Sequence, residues 1–230
     1  MPINLICLDA DDTLWHNMRF FADAERAFEA MLAPFAQAGV ARETLAATEI
    51  RNLQHYGYGA KSFTLSMIET ALELGGDALP VSAIRDILAA GRRLLAHPVE
   101  LLEGVEATLD RLSGQARLVL VTKGDLLHQE AKLAASGLGE RFDGVEIVSD
   151  KTADTFRRLF ARHGVAPDCA IMAGDSMRSD VLPALATGAW AAFIPQPDGW
   201  THEAGETPTH PRFRELSNLA ELPDWVDAIG

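Results

Sequence analysis

Ile3-Asn4-Leu5-Ile6-Cys7-Leu8-Asp9-Ala10-Asp11-Asp12-Thr13 is the stretch on which the reading of this chain turns. Its first six residues form a short apolar run rich in branched side chains, as expected of a central parallel strand covered on both faces. Asp9 and Asp11 stand at the C-terminal end of that run, where open α/β sheets bind their ligands. Two carboxylates so close repel each other unless a cation or a proton is shared between them at neutral pH. Acidic residues also punctuate ordinary strand-to-loop turns, so on this stretch alone a site and a plain turn both stand.

Three further apolar runs end in polar residues. Val119-Leu120-Val121 leads into Thr122-Lys123-Gly124-Asp125, and Val145-Glu146-Ile147-Val148 leads into Ser149-Asp150-Lys151. Ala170-Ile171-Met172-Ala173 leads into Gly174-Asp175-Ser176-Met177-Arg178-Ser179-Asp180. In a parallel sheet all four strand ends fall on one edge, so carboxylates, a hydroxyl and an ammonium converge there. Such a set handles phosphate.

In these residues the chain resembles the haloacid dehalogenase superfamily, whose four motifs are matched in order: Asp9, Asp11 and Thr13; then Thr122; then Lys151; then Gly174-Asp175-Ser176 to Asp180. Each motif is weak alone, and four in register are specific. Two positions depart from the family pattern. Asp12 stands where Gly is usual, and Thr152 follows Lys151 where Pro is common. Lys123 is the competing phosphate-facing lysine.

The resemblance implies a phosphatase working through an aspartyl-phosphate. Asp9 would be the nucleophile and Asp11 the acid and base, with its pKa raised by burial. Thr122 and the amides of Lys123 and Gly124 would grip phosphate oxygens. The cofactor implied is Mg²⁺, held by the Asp9 and Asp175 side chains and the Asp11 carbonyl, with Asp180 a ligand or an outer acceptor. The substrate implied is a small phosphorylated molecule. An acid at Asp11 argues against a dehalogenase, since halide leaves without a proton. A phosphomutase shares the acid and stays open, and a non-catalytic binding module on the same fold has no need of both nucleophile and acid.

The chain from Asp9 to Arg117 is far longer than the ~30 residues of a simple crossover unit, so a domain is inserted there. Residues 103–112 supply the crossover helix, leaving 17–98 as the insertion and 1–16 with 99–230 as an α/β core. Helices are expected at 18–37, 42–55, 61–74 and 81–96, punctuated by Gly39, Gly57, Gly59, Gly75, Gly76 and Pro80. Such an insertion resembles the family's α-helical (C1-type) cap. Beyond it, helices are expected at 126–136, 152–163 and 179–187, with Gly137, Gly164 and Gly188 closing them. A fifth strand spans 189–194. The implied fold is a doubly wound parallel sheet of order 5-4-1-2-3 with an inserted helical cap. Residues 195–212, with Pro195, Pro197, Pro208 and Pro211, read as a surface loop, and 216–229 as a short helix or tail.

A net charge of −13 argues against nonspecific nucleic-acid binding, which needs a basic surface. No stretch reaches the roughly 20 apolar residues needed to cross a bilayer. Met1-Pro2-Ile3-Asn4 lacks a signal peptide's basic start, so a cytoplasmic location with no membrane partner is expected. Cys7 and Cys169 fall in expected core strands, as buried reduced thiols do. Among the seven histidines, His16, beside Trp15, is retained as a candidate substrate contact. In the insertion, Tyr56-Gly57-Tyr58-Gly59-Ala60-Lys61 is the candidate for substrate specificity. The oligomeric state is not legible.

Overall fold

The computed structural model describes residues 2–197 and 200–230. Among these residues six strands, β1 (Leu5–Leu8), β2 (Arg117–Lys123), β3 (Gly144–Val148), β4 (Ala170–Gly174), β5 (Trp190–Phe193) and β6 (Phe213–Glu215), alternate with helices. The helices are α1 (Met18–Leu32), α2 (Val40–Tyr56), α3 (Ala60–Gly75), α4 (Val81–Leu95), α5 (Val105–Ser113), α6 (Leu126–Ser136), α7 (Ala153–Arg162), α8 (Leu182–Leu185) and α9 (Leu222–Ile229). By their contacts the residues fall into two compact units. One comprises Met1–Met18, Val99–Lys123 and Gln129–Gly230; the other comprises Arg19–Pro98 and Gly124–His128.

The first unit is a wholly parallel α/β sheet ordered β3-β2-β1-β4-β5-β6. β1 is central, with Leu5 opposite both Arg117 and Ala170 and Leu8 opposite both Leu120 and Ala173. The period of two along each strand sorts its side chains onto the two faces. Ile6 and Leu8 join Leu120, Ile171, Leu109, Leu112 and Trp225 in one core. Leu5 and Cys7 join Val119, Val121, Met172, Phe156 and Phe160 in the other. This double burial is why Leu5–Leu8 is continuously apolar instead of alternating. Truncating one such residue, Leu8→Ala, costs on the order of 2–5 kcal/mol.

The expected order 5-4-1-2-3 describes five of the six strands. The sixth, Phe213–Glu215, pairs in parallel with β5 at the sheet edge. At three residues it is too short to display a period. Within the expected 195–212 loop, Asp198 and Gly199 lie outside the described residues, as does Met1. Cys169 closes a single 3₁₀ turn, Pro167–Cys169, before β4 and is only half-buried; Cys7 is buried in β1.

The expected 179–187 helix is replaced by a π-helical turn, Met177–Val181, followed by α8. Both Asp180 N–H, at 3.0 Å, and Val181 N–H, at 3.2 Å, donate to the Ser176 carbonyl. Pro183 has no N–H to return to Ser179, which removes one α-helical hydrogen bond at this junction.

The second unit is helical. Phe28, Leu32, Leu45, Phe63, Met67, Ile87 and Leu94 form its core. α1 stops at Leu32 instead of near 37, because Pro34 biases its predecessor away from helical angles. α3 and α4 approach so closely at Gly91 that a Cβ there would stand 2.2 Å from Thr64 Oγ1. Glycine inside a helix costs about 0.5–1 kcal/mol against alanine, and here it permits the contact. Among the described residues, no helix is long and apolar enough to cross a membrane.

Candidate active site

Asp9 follows β1, Thr122 lies in β2, Lys151 follows β3 and Asp175 follows β4, so the parallel sheet delivers all four to one edge. The Asp9 N–H donates to Ala173 O at 2.9 Å, which fixes its backbone against β4. Its Oδ2 accepts from Thr13 Oγ1 at 3.2 Å, and its Oδ1 accepts from the Lys151 ammonium. Lys151 also donates to Asp180 Oδ1 at 2.7 Å, and Asp180 Oδ2 takes the Ser176 N–H at 3.0 Å. Lys151 is therefore a lysine that donates directly to Asp9.

The electrostatics follow from burial. Burial pushes the Asp9 carboxyl up to about 7 against the pull of Lys151, with Asp180 and Asp11 adding repulsion. Asp175 is likewise raised well above the usual carboxylate range, first by burial, then by Asp9, Asp180 and Asp12. Burial works against the Lys151 charge, but the Asp180 and Asp9 carboxylates outweigh it and hold the ammonium above its ordinary range. Carboxylate oxygens of Asp9, Asp175 and Asp180 lie within 4.8 Å of one another. An all-oxygen set of this kind suits a hard divalent cation. The packing admits no side chain at Gly174, where a Cβ would stand 2.2 Å from Asp180 Oδ2 and 2.9 Å from Asp9 Cβ.

Asp11 departs from expectation. Its Oδ1 accepts from Trp15 Nε1 and Lys132 Nζ, both at 2.6 Å, and its Oδ2 from Lys132 Nζ at 2.7 Å and Gln129 Nε2 at 3.0 Å. Burial alone would raise its pKa, as the sequence suggested. The Lys132 ammonium and these hydrogen bonds overcome that and leave it lowered. Asp12 also differs from a solvent-facing extra acid. It is buried, with φ 59, in the left-handed region that explains why glycine is usual there. Its carboxylate accepts from the N–H groups of Asn17 at 2.9 Å and Met18 at 2.9 Å, capping the start of α1.

Thr122 Oγ1 accepts from Gln129 Nε2 at 3.0 Å. Lys123 Nζ donates to Ser179 Oγ at 2.7 Å and pairs with Glu203, whose carboxylate also accepts from Ser176 and Ser179. Glu203 comes from the 3₁₀ turn Thr201–Glu203 within the long loop. Gly124, with φ 133, opens the segment that groups with the helical unit. There Lys61 donates to Asp125 at 2.9 Å and Tyr56 Oη to Glu69 at 3.1 Å. His16 is half-buried, its backbone N–H bound to Glu100 O at 3.0 Å.

The sequence assigns no role to Trp15, Gln129, Lys132 or Glu203, and brings in Ser176 and Ser179 only as part of the run from Gly174 to Asp180. Gln129 and Lys132 carried a weak signal, since three residues apart on α6 they share a helix face. Glu203 carried none, because only the fold of the loop brings it to the strand ends.

A profile of the haloacid dehalogenase-like hydrolases matches residues 3–188. A crystal structure of a haloacid dehalogenase-like family hydrolase from Xanthomonas campestris superposes with a TM-score of 0.90 at 38% identity, covering 99% of this chain and 91% of that one. N-acylneuraminate-9-phosphatase of Mus musculus is 27% identical over 144 residues, 59% of this chain and 55% of the mouse protein. The Homo sapiens enzyme is 28% identical over 138 residues, 56% of this chain and 53% of the human one. The match thus spans about half the length of these phosphatases. With the profile covering both β1 and the π-helical turn, this chain belongs to the haloacid dehalogenase-like hydrolase family.

Proposed function

We propose that the protein is a Mg²⁺-dependent phosphatase that hydrolyses a small phosphorylated metabolite through an aspartyl-phosphate. The observation that carries this reading is the Asp9 carboxylate, held by Lys151 and grouped with Asp175 and Asp180, with a second carboxylate, Asp11, two residues on. The phosphatase activity named for the mouse and human relatives supports it.

The acidic trio fits Mg²⁺: Asp9, Asp175 and Asp180 offer hard oxygen donors, and the Asp11 carbonyl is assigned beside them. Mg²⁺ would offset phosphate charge, so that a carboxylate can approach the dianion. An Asp9 oxygen attacks phosphorus and displaces the alkoxide, whose oxygen takes a proton from Asp11. Water then attacks the acyl phosphate, gives its proton to Asp11 and releases inorganic phosphate and free Asp9. Lys151 and the Thr122 hydroxyl hold phosphate oxygens. Asp11, at rest a carboxylate, suits the second half directly. For the first half it needs a proton, which a neighbouring phosphate dianion favours by like-charge repulsion.

We assign residues 17–98 as a cap domain that selects substrate, with Tyr56–Lys61 the specificity candidate. The acidic net charge of −13 fits a small-molecule partner and no nucleic acid, and we place the protein in the cytoplasm. The test is release of inorganic phosphate from a panel of phosphomonoesters with Mg²⁺ and with chelator. Chelator is expected to abolish it, and Asp9→Asn to abolish it in a folded protein. A variant keeping more than a few per cent of the wild-type rate would remove Asp9 as nucleophile.

A further inference from the structure

Gln129 on α6 is buried, at 4% exposure, and its amide nitrogen lies against three acceptors. These are Asp11 Oδ2 at 3.0 Å, Thr122 Oγ1 at 3.0 Å and Lys123 O at 2.8 Å. Two of them fix the amide's orientation. A carbonyl can only accept, and a carboxylate paired to the Lys132 ammonium can only accept. Turning the amide over would set its oxygen against both. Gln129 Oε1 is itself buried with no hydrogen-bond partner among the described residues, so nothing opposes this orientation.

The consequence falls on Thr122. A hydroxyl has one proton and two lone pairs. The amide has two N–H groups for three acceptors, so one N–H is shared between Thr122 Oγ1 and a second acceptor. With one Thr122 lone pair facing that N–H, the Thr122 proton points elsewhere and is left to donate. Lys132 acts on the other side, donating to both Asp11 oxygens and reaching Asn17 Oδ1 at 3.3 Å.

The geometry points to Gln129, supported by Lys132, as a positioning residue that sets two catalytic groups at once: the Asp11 carboxylate for proton transfer and the Thr122 hydroxyl as a donor to phosphate. One amide thereby couples the grip on phosphate to the acid and base. This inference rests on the phosphatase reading above.

A double-mutant cycle on the full chain tests it, with Mg²⁺, an aryl phosphate with an acidic phenol and an alkyl phosphate. Gln129→Met keeps length and burial but removes the donor, and Gln129→Glu keeps shape. Gln129→Met is expected to raise KM for both substrates and to lower the alkyl-to-aryl ratio of kcat/KM, which reports the leaving-group step alone, each by about 10-fold, the range of one lost buried hydrogen bond. Of these two effects Thr122→Val should show only the first, and Asp11→Asn only the second, beside a slower aspartyl-phosphate hydrolysis common to both substrates. Adding Gln129→Met to Thr122→Val should leave KM unchanged, and adding it to Asp11→Asn should leave the ratio unchanged, because the partner is already gone. Lys132→Arg should restore much of the ratio lost in Lys132→Met. Losses that simply multiply in both double variants would make Gln129 a packing residue and overturn the inference. If Gln129→Met unfolds, the same cycle is run with Gln129→Glu, with the same two outcomes. A wild type that releases no phosphate from any ester overturns the phosphatase reading, and this inference with it. An active wild type with kinetically unaltered Gln129 variants overturns this inference alone.

Discussion

Lys151 Nζ lies 2.7 Å from Asp180 Oδ1, the two side chains 2% and 1% exposed, and the same ammonium reaches Asp9. Removing it leaves Asp9 and Asp180 buried without their cation, and breaking a buried pair from one side costs about 3–5 kcal/mol. Lys151→Met should therefore unfold roughly 6–20 °C lower than wild type, at about 2–4 °C per kcal/mol for a chain of this size. The sign of the pH effect is fixed by Asp9, which burial already pushes up to about 7 against the pull of Lys151. Without the ammonium its folded pKa rises further, a penalty felt above the unfolded value and relieved as a proton binds. The deficit should thus shrink from pH 8 toward pH 5. A Tm equal to wild type at pH 8 would show that Lys151 does not hold the site together.

Asp175 faces three other acids, and burial with their repulsion holds its carboxyl well above the ordinary range. Asp175→Asn should raise Tm without added metal, since one buried like charge is gone. Mg²⁺ that binds only the folded state stabilises by about 2.7 kcal/mol at a hundred-fold excess over Kd, so wild-type Tm should climb with MgCl₂ at constant ionic strength. The variant should climb less. Equal Mg²⁺ responses in the two proteins would take Asp175 out of the proposed ligand set.

The strand ends were legible because parallel sheets force both a doubly buried apolar run and a polar terminus onto the same few residues. Leu5–Leu8 into Asp9 and Ala170–Gly174 into Asp175 show both signals at once. β6 was not legible, since three residues at a sheet edge need satisfy neither condition. The π-helical turn looks like plain helix in the sequence, which shows Pro183 but not the bifurcated Ser176 carbonyl. The lowered pKa of Asp11 is not legible either: burial alone predicts a raised value, and the cation that reverses it, Lys132, is distant in sequence. Long-range partners such as Lys132 and Glu203 depend on a fold that single-sequence periodicity does not encode.

Glu49 in α2 tests the helical unit separately. Burial, with Glu25 nearby, pushes its carboxyl from 4.5 up to about 8. Above the unfolded value the unfolded chain ionises first, so this group weakens folding progressively from about pH 4.5 to pH 8. Glu49→Gln removes that penalty. Its Tm should match wild type near pH 4.5 and exceed it increasingly toward pH 8, by roughly 4–8 °C if about 2 kcal/mol is recovered. A difference independent of pH would mean that the glutamate is solvated.

Asp12 combines two effects of opposite sign at one position. Its φ of 59 is left-handed, which costs a residue with a Cβ about 1–2 kcal/mol but costs glycine little. Its carboxylate accepts the Asn17 and Met18 N–H groups, and losing such a cap costs about 0.5–2 kcal/mol. Asp12→Gly therefore gives up the cap while relieving the backbone. Asp12→Ala gives up the cap and keeps the strain. Asp12→Asn retains an acceptor and the tolerance of short polar side chains for this conformation. The expected order of Tm is Asn closest to wild type, then Gly, then Ala, with Ala lower than Gly by about 2–8 °C. Thermal unfolding of the three variants at one pH decides it. Ala at or above Gly would show that backbone strain at Asp12 is not felt, leaving capping as its only structural role. The reverse surprise, Asn below Gly, would mean that the charge itself matters at the first turn of α1, where a helix N-terminus favours an anion.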